Sequence, residues 1–468
     1  MAQAGLAAGV GLAGCGADEE PAEDPEPETD PEPEPEPEEG IERAPATREH
    51  LESTYPGLLI HTPAPENGEA ESRETYTKFF TPREEHYIRN HYVAPVIDEN
   101  EWTIDLHGLV DEDVEISMDE IRNDYSTETY AHVMQCGGNG RSEFDPEIAG
   151  NPWIFGAVGN AEWTGTPLRE IMDEYGAETG DNMWLMIAGA DEPEGERVFA
   201  RSIPMSKVME DCILAYEMNG EPMTAEHGFP VRLVVPGWFG NNNVKWVDEM
   251  EVMDHMMLGD DTDAFYDSSW EGDGMEQYMH WQQNSYRMKT QSQESVRVRQ
   301  IDEFDTWEQM DMEARGERDV PAHIYDQVTK SLIGTPGEGA TVSPRDADGM
   351  VEIIGVAWAG DDEVEEVEVS TDGGDTWENA EFFNEEMREG YEPYAWRMFR
   401  YLWDPEEEGE YTLVSRATDE QGRTQPREIS DIEDEQLTIE DDKFPYETGG
   451  YCLNAYYPHR VEVTIEME

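Results

Sequence analysis

Net charge is the feature that most constrains how this chain can fold. The sequence carries 110 aspartates and glutamates against 30 lysines and arginines, so its formal charge at pH 7 is −80. Repulsion of that size opposes compaction in dilute buffer, whereas in molar salt the Debye length is about 3 Å and the repulsion is screened. The composition therefore predicts a halophilic protein and argues against nucleic acid or an anionic membrane surface as a partner.

The acidity is not confined to one tail. Residues 18–39 hold 13 of the acidic residues and no base, which still leaves 97 acids against 30 bases in the rest of the chain. Only six of the bases are lysines, so 24 are arginines, the residue type that binds anions through a planar, bidentate fork. The bases that remain are therefore mostly suited to holding anions.

The first 41 residues show no pattern that could build a core. Residues 1–15 are apolar and end in Leu-Ala-Gly-Cys, which resembles a lipoprotein signal that presents Cys15 for lipidation. Residues 16–41 alternate Pro with acidic residues, a composition typical of an extended, self-repelling tether. We therefore expect an extracytoplasmic protein anchored to a membrane through Cys15. No basic segment precedes the apolar run, so either part of the signal is missing upstream or the run is no export signal.

Two sequence patterns divide the rest of the chain. From residue 42 to 295 strand patterns mix with helical ones, such as a strand from Trp102 to His107 and a helix opened by Pro from Pro167 to Tyr175, which favours an α+β domain. From residue 296 to 468, after an irregular acidic stretch, short strands alternate with turns, as in a β-sandwich. The strands predicted there are Val351–Trp358, Val364–Ser370, Tyr394–Leu402, Tyr411–Thr418 and Arg460–Ile465.

A cysteine in a glycine-rich turn is the strongest local motif. Cys136 follows a strand-like run and opens the sequence Cys-Gly-Gly-Asn-Gly, with Arg141 behind it. Such a turn is expected to expose the sulfur, and backbone amides with a nearby Arg lower the pKa of a thiol, which makes it a soft metal ligand. The alternative is a small buried hydrophobic residue, which is what we expect of Cys212 and Cys452.

Several segments, in the same order along the chain, together resemble the sulfite oxidase family. They are YIRNH from Tyr87, the loop at Cys136, GAVGNAEWTGTPL from Gly156, AYEMNGEPMTAEHGFPVRLVVPGWFGNNNVKW from Ala215, VAWAGDDEVEEVEVSTDGGDTW from Val356, YAWRMF from Tyr394, and Asn454–Ala455 with His459–Arg460. Each is weak by itself, but their shared order is specific. The resemblance implies a molybdopterin-binding domain over 42–295, followed within 296–468 by an immunoglobulin-like dimerisation domain, and no haem domain.

The resemblance also implies a cofactor, molybdenum bound to a pyranopterin, with Cys136 as the protein ligand of the metal. Other residues match those that line the cofactor pocket or hold the pterin and its phosphate: Arg89, Asn90, His91, Asp191, His227, Arg232 and Lys245. Cations at such positions are reasonable, because a phosphorylated ligand needs charge-assisted hydrogen bonds. For Lys245 the alternative is a solvated surface base.

Catalytic roles follow from the same resemblance. Arg89, Arg141 and Arg460 match arginines that bind the substrate anion, and converging guanidinium groups suit a small oxyanion. Tyr286 matches a tyrosine near the reacting oxygen, although an exposed loop tyrosine is the alternative. Gly140 stands where animal sulfite oxidases and plant nitrate reductases carry the first Arg of an Arg-Arg pair. Similar Gly-Arg loops occur in bacterial sulfite dehydrogenases and sulfane dehydrogenase subunits, which leaves the substrate open.

The implied activity is oxidation of sulfite to sulfate by oxygen-atom transfer. We see no haem-attachment or cluster-cysteine motif, so electrons are expected to leave to a separate cytochrome or copper protein. The sandwich implies a homodimer, with a monomeric cap as the alternative because the acidity disfavours self-association. Two other functions stay open: a sulfane dehydrogenase-like or other oxyanion molybdoenzyme, and a non-catalytic solute-binding lipoprotein. Residues 254–276 and 296–325 have no assigned role.

Overall fold

Strands dominate the protein, which is described by a computed structural model. The structure describes residues 47–180, 182–191, 199–257, 280–283, 285–288, 323–344, 349–432, 439 and 441–467. The predicted signal with Cys15, the tether, most of 254–276 and 296–325, and the proposed boundary at 295/296 lie outside these residues. Residues Ile41–Glu468 form one compact unit.

Helices in the described residues are few and short. The α-helices are α1 (Arg48–Thr54), α2 (Met118–Asn123), α3 (Leu168–Glu174), α4 (Met205–Glu210) and α5 (His280–Gln283), and the 3₁₀ turns are Arg73–Thr77, Arg141–Glu143, Ala225–His227, Gly240–Asn242, Glu385–Met387 and Tyr457–His459. Helix α3 begins after Pro167, as predicted, and buries Leu168, Ile171 and Met172, whose spacing places them on one face.

The strands of the first part of the chain form three sheets. They are β1 (Leu58–Pro63), β2 (Glu66–Ala70), β3 (Ile88–Arg89), β4 (Thr103–Gly108), β5 (Val114–Ser117), β6 (Glu128–Gln135), β7 (Val158–Pro167), β8 (Trp184–Gly189), β9 (Ala200–Pro204), β10 (Ile213–Met218), β11 (Glu221–Pro222), β12 (Arg232–Val234) and β13 (Val247–Met253). The sheet orders are β1-β2-β3, β11-β10-β7-β6 with β12 beside β10, and β5-β4-β13-β8-β9. The second sheet delivers the cysteine loop at the end of β6.

The later strands form two larger sheets and a small pair. They are β14 (Lys330–Thr335), β15 (Thr341–Val342), β16 (Val351–Trp358), β17 (Val364–Ser370), β18 (Glu378–Asn379), β19 (Glu381–Phe383), β20 (Arg397–Trp403), β21 (Gly409–Asp419), β22 (Glu428–Ile429), β23 (Lys443–Phe444) and β24 (Val461–Ile465). The orders are β14-β16-β20-β19, β15-β24-β21-β17-β18 and β22-β23. Ile353 and Phe399 from one sheet share a core with Val367 and Val463 from the other. The predicted sandwich is therefore present, and its immunoglobulin-like topology stays a prediction.

The C-terminal segment 444–455 returns from the sandwich to the first core. Phe444, Tyr446, Cys452 and Leu453 belong to the same hydrophobic cluster as Ile104 of β4. Cys212 and Cys452 are fully buried, as predicted. This return matters for the site, because it brings residues from near the end of the sequence against the loop that begins at Cys136.

Among the described residues, strands far outnumber helices, so the helical share is smaller than the α+β prediction implied. The apolar residues predicted to alternate in strands do so, whereas the helices end after one or two turns. Within the described part of the chain, no helix combines the length and apolar character needed to cross a membrane.

Candidate active site

The loop after β6 is held by its own backbone and by glycine at close contacts. The Cys136 amide donates to the Ala157 carbonyl at 2.9 Å, and the Cys136 carbonyl accepts from the Asn139 amide at 3.0 Å. A Cβ on Gly137 would lie 2.4 Å from Ile324 Cδ1, and Gly140 has φ +96° with Leu453 Cδ2 2.8 Å from the position of a Cβ. Glycine is therefore required by both space and conformation.

The Cys136 sulfur does not stand out from the surface as the sequence suggested. The residue is 6% exposed, and burial raises the pKa of its thiol, although Arg89 and Arg141 act to lower it. The expectation of an exposed, acidified thiol is wrong, because Cys136 packs in a buried hydrophobic cluster with Met134 and Trp153. The next residue bonds the C-terminal segment: Gly137 O accepts from the Cys452 amide at 2.8 Å. All three described cysteines are free thiols.

Cys136 nevertheless lines a cavity of about 50 Å³. Nine residues with a predicted site role line it together: Arg89, Asn90, His91, Cys136, Asp191, His227, Arg232, Lys245 and Tyr286. They come from β3, the end of β6, β12 and several connecting segments, so the cavity is the place where distant parts of the sequence converge. Their placement agrees with the predicted set, while the role of each stays a prediction.

One wall of the cavity carries two buried cations side by side. Arg232 and Lys245 form a bridge pair across neighbouring segments; Arg232 is buried and Lys245 is partly buried. Lys245 Nζ donates to Arg89 O at 3.2 Å, to Glu226 O at 2.8 Å and to Asn90 Oδ1. Burial lowers the pKa of Lys245 to about 7 and that of Arg232 to about 10. Lys245 is thus not the surface base of the alternative interpretation.

Neutral histidines complete this wall. His227 Nδ1 lies 2.9 Å from Thr224 Oγ1, and its Nε2 lies 3.3 Å from His86 O. Burial lowers the pKa of His86 to about 4 and that of His227 well below its usual value. Both rings are therefore neutral near pH 7 and can act as hydrogen-bond donors or acceptors toward a ligand.

On the other side, Tyr286 is held by a histidine. Its hydroxyl lies 2.8 Å from His91 Nε2, and the His91 ring stacks on Phe199 with centroids 4.4 Å apart. Tyr286 is 6% exposed with φ 55°, and burial raises the pKa of its phenol. The exposed-loop alternative is therefore wrong, and the phenol faces the cavity in its protonated form.

The structure does not bring all predicted arginines to the cavity. Arg141 lies behind the loop, where its Nε donates to Gly449 O at 3.1 Å and its Nη1 to Asn151 O at 3.2 Å. Arg460 follows the last 3₁₀ turn, has a side chain 41% exposed and pairs with Glu462 at 3.2 Å. Neither lines the cavity, and only Arg141 is close enough to lower the pKa of the Cys136 thiol.

The sequence analysis did not identify several residues that line the cavity or contact its lining. The other residues lining the cavity are His86, Tyr87, Met134, Phe199, Glu226, Gly240, Asn241, Asn243 and Trp246. Arg201 is fully buried next to Tyr286, with 5.9 Å between its Cζ and the ring centroid. A signal for Arg201 exists, because Phe199, Arg201 and Ile203 alternate along a strand, which places a base on an apolar face. The contact of Tyr451 with Tyr286, 5.4 Å between centroids, has no local sequence signal.

Comparison with known families gives matches to both halves of the described body. Residues 91–259 match the family described as oxidoreductase molybdopterin binding domain, and residues 321–431 match the Mo-co oxidoreductase dimerisation domain. The two matches follow each other in the order predicted from the sequence.

Among characterised proteins, the chain is similar to mitochondrial sulfite oxidase of Drosophila melanogaster, with 30% identity over 398 residues that cover 83% of this chain and 60% of that protein. It is 29% identical to sulfite oxidase of Gallus gallus over 386 residues, 81% of this chain and 75% of that protein. It is also 28% identical to an NADH nitrate reductase of Brassica napus over 416 residues, 83% of this chain and 40% of that protein. The chain spans 60% of the Drosophila and 66% of the Rattus norvegicus sulfite oxidase.

Among solved structures, the sulfane dehydrogenase SoxCD from Paracoccus pantotrophus is similar in fold, with a TM-score of 0.62. The match covers 90% of this chain and 92% of that chain at 23% sequence identity. At this identity the likeness concerns the fold alone.

Proposed function

The chain belongs to the sulfite oxidase family of molybdopterin oxidoreductases, and on this premise we propose that it oxidises sulfite to sulfate with molybdopterin-bound molybdenum and passes the electrons to a separate carrier. The observation that carries the proposal is a single cavity that joins the Cys136 sulfur to a wall of buried cations. A soft thiolate donor and adjacent cations are the two kinds of group that such a cofactor requires.

The residues fit this cofactor on observations that do not depend on family membership. Arg232 and Lys245 are neighbours of like charge in a buried bridge, an arrangement that is unfavourable until an anion lies between or beside them. In the described structure, His86 Nε2, Arg232 Nε and Asn241 Oδ1 are buried polar atoms without a hydrogen-bond partner, and all three residues line the cavity. Buried polar atoms of this kind usually meet a ligand or water.

In the proposed enzyme, Cys136 would ligate the metal, Lys245 and Arg232 would hold the phosphate, and His86, His227 and Asn241 would bond the pterin. When bound, the cofactor supplies the two-electron redox step and the oxygen atom that is transferred to the substrate. The protein's task is then to bind the oxyanion, to exclude water and to hold protons at defined atoms.

Oxyanion binding falls to the guanidinium of Arg89, which lines the cavity, with Arg141 adding positive potential from behind the loop. Tyr286 keeps its proton, because burial raises the pKa of its phenol, and can donate a hydrogen bond to an oxygen of the substrate. His91 Nε2, 2.8 Å from the Tyr286 hydroxyl, fixes the direction of that phenol. Tyr286 and His91 therefore present a hydrogen-bond donor at a fixed position, and the phenol keeps its proton.

A second candidate activity is oxidation of protein-bound sulfane sulfur or of another oxyanion. The observation that favours it is the position of Arg460, which pairs with Glu462 outside the cavity and leaves the site with fewer arginines than predicted. The loop sequence, with Gly140 before Arg141, points the same way. A non-catalytic solute-binding lipoprotein is the third possibility.

The assembly and location of the protein are also part of the proposal. The match of residues 321–431 to a dimerisation domain supports a homodimer, which light scattering in molar KCl showing only monomer would refute. We propose a cytochrome or copper protein as the electron acceptor, to be tested by stopped-flow reduction of candidate carriers. We also propose anchoring outside the cytoplasm through lipidated Cys15, which mass spectrometry of the native N-terminal peptide would test.

The decisive experiment is electron paramagnetic resonance of the purified holoprotein in molar KCl. We expect a Mo(V) signal after addition of sulfite, and dithionite reduction of the same batch shows how much cofactor is loaded. A signal with dithionite alone would move the substrate to sulfane sulfur or another oxyanion. Silence with both reagents, in protein produced with cofactor available, would contradict the proposed function.

The matched mutation is Cys136→Ser, with Cys212→Ser as its control, since Cys212 is equally a buried free thiol but does not line the cavity. We expect Cys136→Ser to lose sulfite oxidation by at least about 100-fold, because a hydroxyl is a poor soft-metal ligand. Cys212→Ser should keep near wild-type activity. Full activity in Cys136→Ser would remove the central assignment.

A further inference from the structure

Arg201 is a buried cation without a counter-charge. Its side chain is fully buried in β9, and no described carboxylate lies within ion-pair distance of its guanidinium. Nη2 donates to Asn242 Oδ1 at 2.9 Å, Nη1 donates to the Trp281 carbonyl, and Nε has no partner. All of these partners are neutral, so the positive charge is not balanced where it sits.

Some buried bases in the described residues have a carboxylate partner, whereas Arg73 and Arg232, like Arg201, bond neutral groups. Lys207 pairs with Asp211 at 2.9 Å, and Arg388 pairs with Glu363 at 2.8 Å. In a chain with 110 acidic residues a carboxylate partner is the easy solution for a buried cation. A buried charge left without one is costly, so its absence at Arg201 indicates that the counter-charge comes from elsewhere.

The geometry shows where that charge would lie. The Arg201 guanidinium is next to Tyr286, whose ring lines the cavity, with 5.9 Å between the Cζ atom and the ring centroid. Asn242 Oδ1, which accepts from Arg201, also accepts from Asn241 Nδ2 at 3.2 Å, and Asn241 lines the same cavity. Arg201 therefore lies behind the lining of the cavity. It contacts that lining at Tyr286 directly and at Asn241 by way of Asn242.

We propose that Arg201 determines the affinity of the site for a small divalent oxyanion by providing positive potential on the Tyr286 side of the cavity. This inference rests on the proposed function for the identity of the anion, sulfite as substrate and sulfate as product. Arg201 is a positioning and electrostatic residue, since it does not line the cavity itself. Low polarity around it lets its field reach the anion with little screening, even in strong salt.

The test compares holoprotein variants Arg201→Gln, which removes the charge, and Arg201→Lys, which keeps it. For Arg201→Gln we expect KM for sulfite and the inhibition constant of sulfate to rise together by about tenfold, with kcat within about twofold of wild type and molybdenum content unchanged. Arg201→Lys should return both constants to near wild type. The control is Arg388→Gln, which removes another buried arginine that does not line the cavity and should change neither constant.

A second measurement does not depend on catalysis. Millimolar potassium sulfate, exchanged for KCl at constant ionic strength, should raise the Tm of wild-type holoprotein in a saturable way, and Arg201→Gln should lose this shift. Absence of the shift in wild type, unchanged constants in a fully loaded Arg201→Gln, or failure of both Arg201 variants to fold would overturn the proposal. A sulfate shift that needs Arg201 in a protein that does not oxidise sulfite would keep this inference and reject the proposed activity.

Discussion

Lys245 shows at the scale of one residue how the site is prepared for an anion. It is one of only six lysines, yet it is placed in the cavity, opposite Arg232. Its pKa is lowered to about 7, because burial and the neighbouring Arg232 outweigh Asp191 and Glu66, which raise it. Without an anionic ligand this lysine readily loses its proton, so ligand binding and protonation of Lys245 are coupled.

This coupling predicts a particular pH dependence for cofactor-free protein. Between pH 7 and 10 the unfolded chain holds a proton on Lys245 that the folded protein has released, so the free energy of unfolding rises with pH in that window. Below pH 7 the full penalty of the buried charge applies. We expect Lys245→Met to lose a slope of up to about 1.4 kcal/mol per pH unit, measured by urea unfolding in molar KCl at several pH values.

The control for this experiment is Lys443→Met, because Lys443 lies at the surface beside Glu428. Its pH dependence should equal that of the wild type. If Lys245→Met and wild type gain stability in parallel from pH 7 to 10, the coupling at Lys245 is absent.

Individual residues also show which features of the site could be predicted from the sequence and which could not. The resemblance to the sulfite oxidase family, carried by motifs in a shared order, was enough to group nine cavity residues in advance. The burial of Cys136 was not, since it depends on a segment more than 300 positions later. Arg460 was expected in the site because it matches an anion-binding arginine of the family, but its side chain bonds Glu462 and the Tyr457 carbonyl instead.

The Cys136–Arg141 loop is the element on which the site depends. Its conformation is set by glycines at close contacts: Gly137 and Gly140 meet Ile324 and Leu453 from elsewhere in the chain, and Gly138 meets Arg141 of the loop itself. The glycine-rich sequence predicted the turn, whereas contacts with other parts of the fold fix the final conformation of the loop. Strands such as β16 and β17 were predicted to the residue, because their alternation depends only on which face is buried.

Gly140→Ala tests how firmly the loop is held. A side chain at φ +96° costs about 1–2 kcal/mol, and overlap with Leu453 adds about 1–3 kcal/mol, so we expect a clear fall in Tm and in molybdenum content. Gly422→Ala is the matched control, since Gly422 has φ +78° with nothing within 4 Å of a Cβ. Equal losses in the two variants would show that Leu453 does not constrain the loop.

At the scale of the whole molecule, a strongly negative chain must gather positive side chains at one site. The same chain that carries −80 must bring Arg89, Arg232, Lys245 and Arg201 close together around one cavity. Acidic residues on the surface are tolerated when salt screens them, whereas the cations of the site are shielded from that salt by burial. Composition predicted the first of these features, and only the folded structure reveals the second.

The free energy of unfolding should therefore rise with salt. We expect the Tm of the purified holoprotein to increase by at least about 10 °C between 0.2 and 3 M KCl, because screening removes repulsion that the compact state feels more than the unfolded chain. Differential scanning calorimetry would measure it, with NaCl at equal concentration as a control for ion-specific effects. A Tm that is constant or falls with KCl would contradict the interpretation of the composition.

The hydrogen bond from the Cys452 amide to Gly137 O has a consequence for biosynthesis. A ribosome releases the Cys136–Arg141 loop long before it has made Cys452 and Leu453, so the loop spends most of translation without the segment that contacts Gly137 and Gly140. The binding loop acquires its final shape only when residue 453 has joined the first core. Any shortening of the chain before Cys452 would therefore leave the Cys136–Arg141 loop without this contact.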